Sequence, residues 1–108
     1  MEELKEMHCT LVAPGQPALE KDDIDQYLNR LNTPWKVLDN KRISRVFPFE
    51  NFKRGMAFCQ EIGLLAEREN HHPEICIAYD RVEVELNTHS VDGLTINDFI
   101  LAAKIDAI

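Results

Sequence analysis

The sequence predicts an α+β protein in which helices cover one face of an antiparallel sheet. Three segments carry apolar residues at the spacing of an amphipathic helix, and residues 75–86 alternate as a half-buried strand pair does. The 108 residues are enough for one hydrophobic core but not for two. The order helix, strand, helix, strand, strand, helix therefore indicates a single two-layer domain.

Each predicted helix has an apolar stripe or a recognisable end. The first begins at Lys21, and its stripe falls at i, i+3, i+4 and i+7, on Ile24, Tyr27, Leu28 and Leu31. The second and longest begins at Asn51 and ends at the His-His-Pro run of residues 71–73. The last begins near Thr95, because Asp98 three residues later completes a pattern similar to a capping box.

Two further regions are predicted to form strands. Ile43 to Phe49 is rich in aromatic and β-branched residues, and Trp35 lies in a short extended segment before it. Residues 75–86 alternate on both sides of a tight turn, which predicts an antiparallel hairpin. His89 has the parity of the polar residues in the second hairpin strand, so it need not face the core.

Residues 1–19 are predicted to be an irregular N-terminal arm, and residues 20–108 a single domain. Two prolines and a glycine interrupt any regular element between residues 14 and 17. Cys9, Cys59 and Cys76 are far apart in the sequence and lack the spacing of redox or zinc motifs. We expect them to be reduced thiols, two of them buried.

Charge and hydropathy limit the classes of partner. A formal net charge of −7 argues against binding nucleic acid through bulk electrostatics. No apolar run approaches the roughly 20 residues of a membrane span. The chain opens with acidic residues where a signal peptide would carry basic ones, so we expect a cytoplasmic protein with no membrane partner.

The residues best suited to chemistry lie where the longest predicted helix ends. Glu67, Asn70 and His71 stand at i, i+3 and i+4, which places them on one helix face. His72 precedes Pro73, whose ring disfavours the helical conformation for the preceding residue. The two adjacent imidazoles should therefore point in different directions and line a pocket from different angles.

A third imidazole comes from the end of the hairpin. If this strand end meets the helix end, His89 and Asp98 converge with the two adjacent histidines and Glu67. Three interpretations of such a cluster are open: structural histidines, a zinc site, or general acid-base catalysis. The local spacing does not match the usual zinc patterns, whereas an imidazole pKa near 6.5 suits proton transfer at neutral pH.

The region from residue 67 to residue 98 resembles the pterin-4a-carbinolamine dehydratases. Their motif is a Glu, three residues, His-His-Pro, an aromatic residue, a His and a later Asp, and it is matched here by Glu67, His71, His72, Pro73, Tyr79, His89 and Asp98. Weaker similarity covers most of the chain after about Leu19.

This resemblance implies a four-stranded antiparallel sheet with about three helices on one face, and a homodimer or homotetramer. The implied reaction is dehydration of 4a-hydroxytetrahydrobiopterin to quinonoid dihydrobiopterin, which recycles the pterin cofactor of aromatic amino acid hydroxylases. In that family two imidazoles on opposite sides of the substrate do this chemistry without a metal ion or another cofactor.

The resemblance also implies individual roles. The implied catalytic residues are His71, His72, His89 and Glu67, and the implied substrate-binding residues are His72, Asn70, Trp35, Asp98 and Thr88. His71 and His89 take the acid-base roles, His72 positions the substrate, and Glu67 orients His71 or tunes its charge. Helix capping remains an equal alternative for Asp98, as core packing does for Trp35.

Two alternative functions stay open at this point. The first is a protein that keeps the fold but binds a protein partner without catalysis, as a transcriptional coactivator of this family does. The second is a dehydratase that acts on another pterin, such as one connected to molybdopterin metabolism.

Overall fold

The computed structural model describes residues 3–108, so Met1 and Glu2 of the predicted arm lie outside the described residues. In chain order the elements are a 3-10 helix at Leu4–Glu6, α1 at Lys21–Leu31, β1 at Lys36–Leu38, β2 at Arg42–Pro48, α2 at Phe52–Glu69, β3 at Glu74–Ala78, β4 at Arg81–Leu86, a second 3-10 helix at His89–Val91, and α3 at Ile96–Asp106.

The four strands form one antiparallel sheet in the order β1-β2-β4-β3. The predicted hairpin is β3–β4, with Ile75 opposite Val84 and Ile77 opposite Val82. β2 pairs along the other side of β4, and the short segment after Trp35 adds β1. The prediction of a two-layer α+β fold with a four-stranded antiparallel sheet and three helices is confirmed.

The core lies between the helices and one face of the sheet. In β4 the alternation expected from the sequence is present, because Val82, Val84 and Leu86 have no exposed surface. α2 approaches the sheet at Gly55, where an added Cβ would lie 3.4 Å from a methyl group of Val82. α3 is the most buried helix and contributes Phe99 to the same core. Helix burial against β4 thus fixes where the ends of α2 and α3 lie.

The helix ends follow general capping rules. Asn32 and Asn70 both adopt the left-handed conformation, with φ 53°, directly after α1 and α2. Asn51 caps the start of α2 by accepting a hydrogen bond from the Arg54 main-chain N–H at 2.9 Å. The left-handed Asn70 ends α2 at Glu69, two residues before His71, which is essential for the site described below.

The structure corrects two details of the sequence interpretation. Cys9 and Cys59 are half-buried and Cys76 is exposed on an edge strand, so the prediction of two buried cysteines is wrong. The arm, predicted to be irregular, contains a 3-10 helix whose Leu4 is buried in the core. Among the residues described, no helix is long and apolar enough to cross a membrane.

Candidate functional site

A cleft of about 490 Å³ lies where the end of α2 meets the segment after β4. Its walls come from four parts of the chain: residues 9–12 of the arm, 69–72 at the end of α2, 87–90 after β4, and Asn97 of α3. All three histidines of the predicted cluster line it. The expected meeting of strand end and helix end is therefore present, and the cleft is within the size range of small-molecule sites.

The left-handed turn at Asn70 separates the two adjacent histidines. The main-chain N–H of His71 still donates to the Ala66 carbonyl at 3.2 Å, which holds the first residue after the cap against the helix end. The His71 side chain turns inward and is 12% exposed, whereas the His72 side chain is 55% exposed. The two imidazoles thus enter the cleft at different depths.

His71 is held by a buried carboxylate. Its Nε2 donates to Oδ1 of Asp98 at 2.6 Å, and Asp98 has no exposed surface. The second oxygen of Asp98 accepts from the Thr88 hydroxyl at 2.8 Å and from the Thr95 main-chain N–H at 3.0 Å. With Nε2 donating, Nδ1 is the basic nitrogen of the neutral ring, and within residues 3–108 it makes no hydrogen bond.

Asp98 is buried and does not line the cleft, so the structure supports the capping alternative and a contact with His71 in place of the substrate contact that the resemblance implied. The carboxylate caps α3 through Thr95 and at the same time orients His71. Thr88 is buried. Its hydroxyl donates to Asp98 and lies 2.9 Å from the Thr95 hydroxyl. Thr88 lines the cleft, but its side-chain hydroxyl holds the Asp98 carboxylate in place.

Glu67 pairs with His72, not with His71. Nε2 of His72 donates to Oε2 of Glu67 in a short hydrogen bond, and both side chains are more than half exposed. The spacing argument for His71 was wrong because the helix ends at Glu69, so His71 no longer follows the helical repeat. Glu67 consequently orients the outer imidazole.

His89 opens the second 3-10 helix on the opposite wall. Its side chain is exposed, and it makes no hydrogen bond among the described residues. The preceding Thr88 is fixed by a bridge to Gly93, with the Thr88 N–H 2.8 Å from the Gly93 carbonyl. His89 therefore projects from an anchored turn with both ring nitrogens accessible.

Comparisons with known proteins identify the family of the chain. The family model for pterin 4 alpha carbinolamine dehydratase matches residues 17–108. The chain belongs to this family. A protein of Alkaliphilus metalliredigens named "Putative pterin-4-alpha-carbinolamine dehydratase" is 40% identical over 98% of this chain and 96% of its own, and one of Legionella pneumophila with the same name is 44% identical over 96% and 93%.

Solved structures show the same fold. A crystal structure described as a transcriptional coactivator/pterin dehydratase from Brucella melitensis has a TM-score of 0.78 at 36% identity, over 83% of this chain and 96% of its own. A pterin dehydratase-like protein described as a RuBisCO assembly factor in the alpha-carboxysome has a TM-score of 0.60 at 20% identity, over 71% and 90%. The latter likeness supports the fold alone.

Trp35, which the family resemblance placed at the substrate, lies outside the cleft of this family member. The side chain is 4% exposed, and its Nε1 donates to both carboxylate oxygens of Asp106, at 3.1 and 3.0 Å. Asp106 also accepts from Arg45 at 2.6 Å and from Thr33 at 2.7 Å. The alternative that Trp35 is a packing residue fits these contacts.

Two cleft residues that the sequence analysis did not select hold the arm. Oε1 of Glu69 accepts from the Cys9 main-chain N–H at 2.8 Å, and its Oε2 accepts from Nδ1 of His8 at 3.0 Å. Asn97 accepts from the Thr10 N–H at 3.1 Å and donates to the Thr10 carbonyl at 2.7 Å. A charged residue on the buried side of α2 was the available signal for Glu69.

The surroundings of Glu69 and Cys9 shift the pKa of each side chain. Burial alone would raise the pKa of Glu69, but the hydrogen bonds from Cys9 and His8 hold it below the ordinary value of 4.5. The pKa of the Cys9 thiol is raised from 9.0 to about 12, mainly by burial and further by the charges of Glu69 and Asp98. Cys9 is therefore a protonated thiol, whose Sγ lies 3.5 Å from the Asn97 carbonyl oxygen.

The side chains around the histidines bear on the zinc interpretation. Over residues 3–108, no three His, Cys, Asp or Glu side chains are grouped so as to hold a metal ion. Nε2 of His71 and Nε2 of His72 are each taken by a carboxylate. The arrangement offers an anchored imidazole, a second on the surface, and a third across the cleft.

Proposed function

We propose that this protein is a hydro-lyase that dehydrates 4a-hydroxytetrahydrobiopterin to quinonoid dihydrobiopterin by histidine acid-base catalysis. In this role it would recycle the pterin cofactor of aromatic amino acid hydroxylases. The observation that carries the proposal is the convergence of His71, His72 and His89 on one cleft of about 490 Å³. Membership of the pterin 4 alpha carbinolamine dehydratase family supplies the reaction class.

The reaction needs two proton transfers on one small ring system. The lone pair of ring nitrogen N5 forms a double bond to C4a as the C4a–O bond breaks, and the departing hydroxyl leaves as water once it is protonated. The ring then loses a proton to give the neutral quinonoid product. An acid and a base placed around the ring accelerate both transfers, each typically by about 10²- to 10⁴-fold.

The surroundings of the histidines support a division of roles. We assign the acid-base pair to His71 and His89, because they stand on different walls and each has a ring nitrogen without a partner among the described residues. Asp98 fixes the tautomer and the orientation of His71. His72, oriented by Glu67, is the proposed substrate-positioning residue, and Asn70 and Thr88 complete the wall.

The test follows the loss of freshly generated 4a-hydroxytetrahydrobiopterin by ultraviolet absorbance, with a chelator present. We expect the wild type to accelerate dehydration, and His71→Ala and His89→Ala each to lower kcat by about 10²-fold or more. Glu61→Ala is the matched control, since Glu61 is an exposed residue of α2 away from the cleft. Folded wild type that gives no rate above the spontaneous reaction would contradict the proposal.

The same assay with pterins that carry other substituents tests the alternative that the substrate is a different pterin. A higher kcat/KM for a pterin without the biopterin side chain would favour that alternative, because the histidine chemistry acts on the shared bicyclic ring. A cleft with half-exposed walls leaves room for several such substituents.

A second candidate function is protein binding without catalysis. The Brucella melitensis relative is described as both coactivator and dehydratase, so the two roles occur together in a description of a 36% identical protein. This candidate predicts binding of a protein partner that survives His71→Ala and His89→Ala. Retention of three histidines around one cleft favours the enzyme, because a binding surface has no need of an imidazole anchored on a buried carboxylate.

We also propose a homodimer or homotetramer in the cytoplasm. β3 is an edge strand of the sheet, and Ile75 on it is 37% exposed. An unpaired edge with an apolar residue is suited to pairing with a second copy. Light scattering coupled to gel filtration measures the mass directly, and a monomer at micromolar concentration would contradict this proposal.

A further inference from the structure

The N-terminal arm forms one wall of the histidine cleft. Residues 9–12 line the cleft, and their main chain is hydrogen-bonded to the end of α2 and to α3. Residues 8–12 precede the part of the chain that the family model matches, which begins at residue 17. The arm is thus a feature of the site that the histidine motif does not include.

Buried polar side chains fix the arm in place. Glu69 is 7% exposed and Asn97 is 4% exposed, and their side-chain hydrogen bonds with the arm are those to His8, Cys9 and Thr10. A buried carboxylate or amide is costly unless it is hydrogen-bonded, and the docked arm supplies those hydrogen bonds to Glu69 and Asn97. The arm is therefore built into the cleft.

The anchors of the arm are neighbours of the catalytic apparatus in sequence. Glu69 is the last residue of α2, two positions before His71, and Asn97 precedes Asp98. The same two helix ends that position the anchored imidazole therefore also position the arm. A fixed distance between arm and imidazole follows, as a binding site requires.

Beyond these anchors the arm presents a large apolar side chain at the cleft. Leu11 is 91% exposed, the largest exposed fraction among the large hydrophobic residues described. A lone exposed leucine on a surface needs no explanation. At Leu11, however, the main chain of the preceding Thr10 donates one hydrogen bond to the Asn97 side chain and accepts another from it, and Leu11 lines the cleft.

We infer that Leu11 packs on one face of the bound pterin ring system and that Glu69 and Asn97 act as positioning residues for it. This inference rests on the proposed function and adds a substrate-binding residue to it. Contact with the ring face removes the Leu11 side chain from water, which stabilises the complex in proportion to the apolar area covered. The imidazoles then act at the ring edge and the arm at the ring face.

Leu11→Ala tests the inference in the dehydration assay. We expect KM to rise about three- to tenfold with kcat within about twofold, because the lost contact is present in both ground state and transition state. Titration with a stable 7,8-dihydropterin should show the same loss of affinity. Leu64→Ala is the matched control, since Leu64 is 64% exposed on α2 and does not line the cleft.

Asn97→Ala tests the positioning role. Release of Thr10 should raise KM while the alkylation of Cys9 by iodoacetamide becomes faster, because Cys9 is the adjacent residue of the arm and its half-buried thiol contacts the Asn97 carbonyl oxygen. A variant that only lost stability would alter the melting temperature without this change in Cys9 labelling of the folded protein. Leu11→Ala, at a solvent-exposed position, keeps the test valid if Asn97→Ala fails to fold.

The outcomes separate the inference from the proposed function. If the wild type turns over and Leu11→Ala leaves both KM and dihydropterin affinity unchanged, the inference is wrong and the proposed function stands. If the folded wild type neither accelerates dehydration nor binds the dihydropterin, the proposed function fails and the inference fails with it.

Discussion

Nε2 of His71 donates to Oδ1 of Asp98 across 2.6 Å, although the two residues are 27 positions apart in the sequence. Asp98 has no exposed surface, and its other oxygen is occupied by Thr88 and Thr95. The carboxylate is thus fixed by the start of α3 before it meets the imidazole. A rigid acceptor of this kind sets both the tautomer and the direction of the His71 ring.

Asp98→Asn should lower kcat at least about tenfold and destabilise the protein by about 1–3 kcal/mol. The amide has only one acceptor oxygen for three donors, so at least one of the Thr88, Thr95 and His71 contacts is lost. Steady-state kinetics and urea unfolding of the same preparation measure the two effects.

Asp106→Asn is the control for this variant. Asp106 is the last residue of α3, its side chain is 13% exposed, and it accepts from Arg45 and Trp35 outside the cleft. We expect a comparable loss of stability, about 1–3 kcal/mol, with kcat within about twofold of the wild type. A parallel loss of kcat in both variants would show that the effect of Asp98→Asn is structural.

Glu67→Gln should change stability by less than about 1 kcal/mol, because the Glu67–His72 pair is exposed on both sides. We expect KM to rise a few-fold, since His72 loses the carboxylate that orients it. Glu61→Gln removes a carboxylate from the same helix away from the cleft and should leave KM unchanged. Equal KM values for Glu67→Gln and the wild type would exclude a positioning role for the pair.

Local signals in the sequence were sufficient for most of the fold. The β3–β4 hairpin follows from strict alternation, and the start of α3 from the Thr95–Asp98 spacing, because both depend on residues at most a few positions apart. The short strand β1 could not be recognised from its three residues, since its strand character comes from pairing with β2.

The site could be predicted only where its residues are close in sequence or share a family motif. The prediction that Glu67 contacts His71 was wrong because one left-handed residue, Asn70, ends the helical repeat before His71. The anchors of the arm join residues 60 to 87 positions apart, as in the Cys9–Glu69 and Thr10–Asn97 contacts. The periodicity of a sequence does not predict such distant contacts, because they form only when α2 and α3 pack together.

Glu69 should make folding stability depend on acid pH. Its folded pKa lies below 4.5, so its contribution is complete above pH 4.5 and is lost as the pH falls through the folded value. His8 and the Cys9 N–H face the carboxylate, and Lys104 adds a favourable charge. Glu69→Gln should therefore cost about 1.5–3 kcal/mol at pH 7 and progressively less below pH 4.5.

Urea unfolding of the wild type and Glu69→Gln from pH 3 to pH 7 measures this dependence. Glu67→Gln, whose exposed carboxylate is on the same helix, should run parallel to the wild type over the whole range. A constant stability difference between wild type and Glu69→Gln at every pH would show that the charge of Glu69 contributes nothing and that only its shape matters.

The three cysteines should differ in reactivity according to their burial. Raising the thiol pKa of Cys9 from 9.0 to about 12 lowers its thiolate fraction at pH 8 about a thousandfold, and burial also raises the pKa of Cys59. We therefore expect iodoacetamide at pH 8 to modify the exposed Cys76 first and Cys9 last, as followed by mass spectrometry of the folded protein. Cys76→Ser should remove the fast phase, and denaturant should make the remaining thiols equally reactive. Labelling of Cys9 at the rate of Cys76 in the folded protein would mean that the arm leaves the cleft in solution.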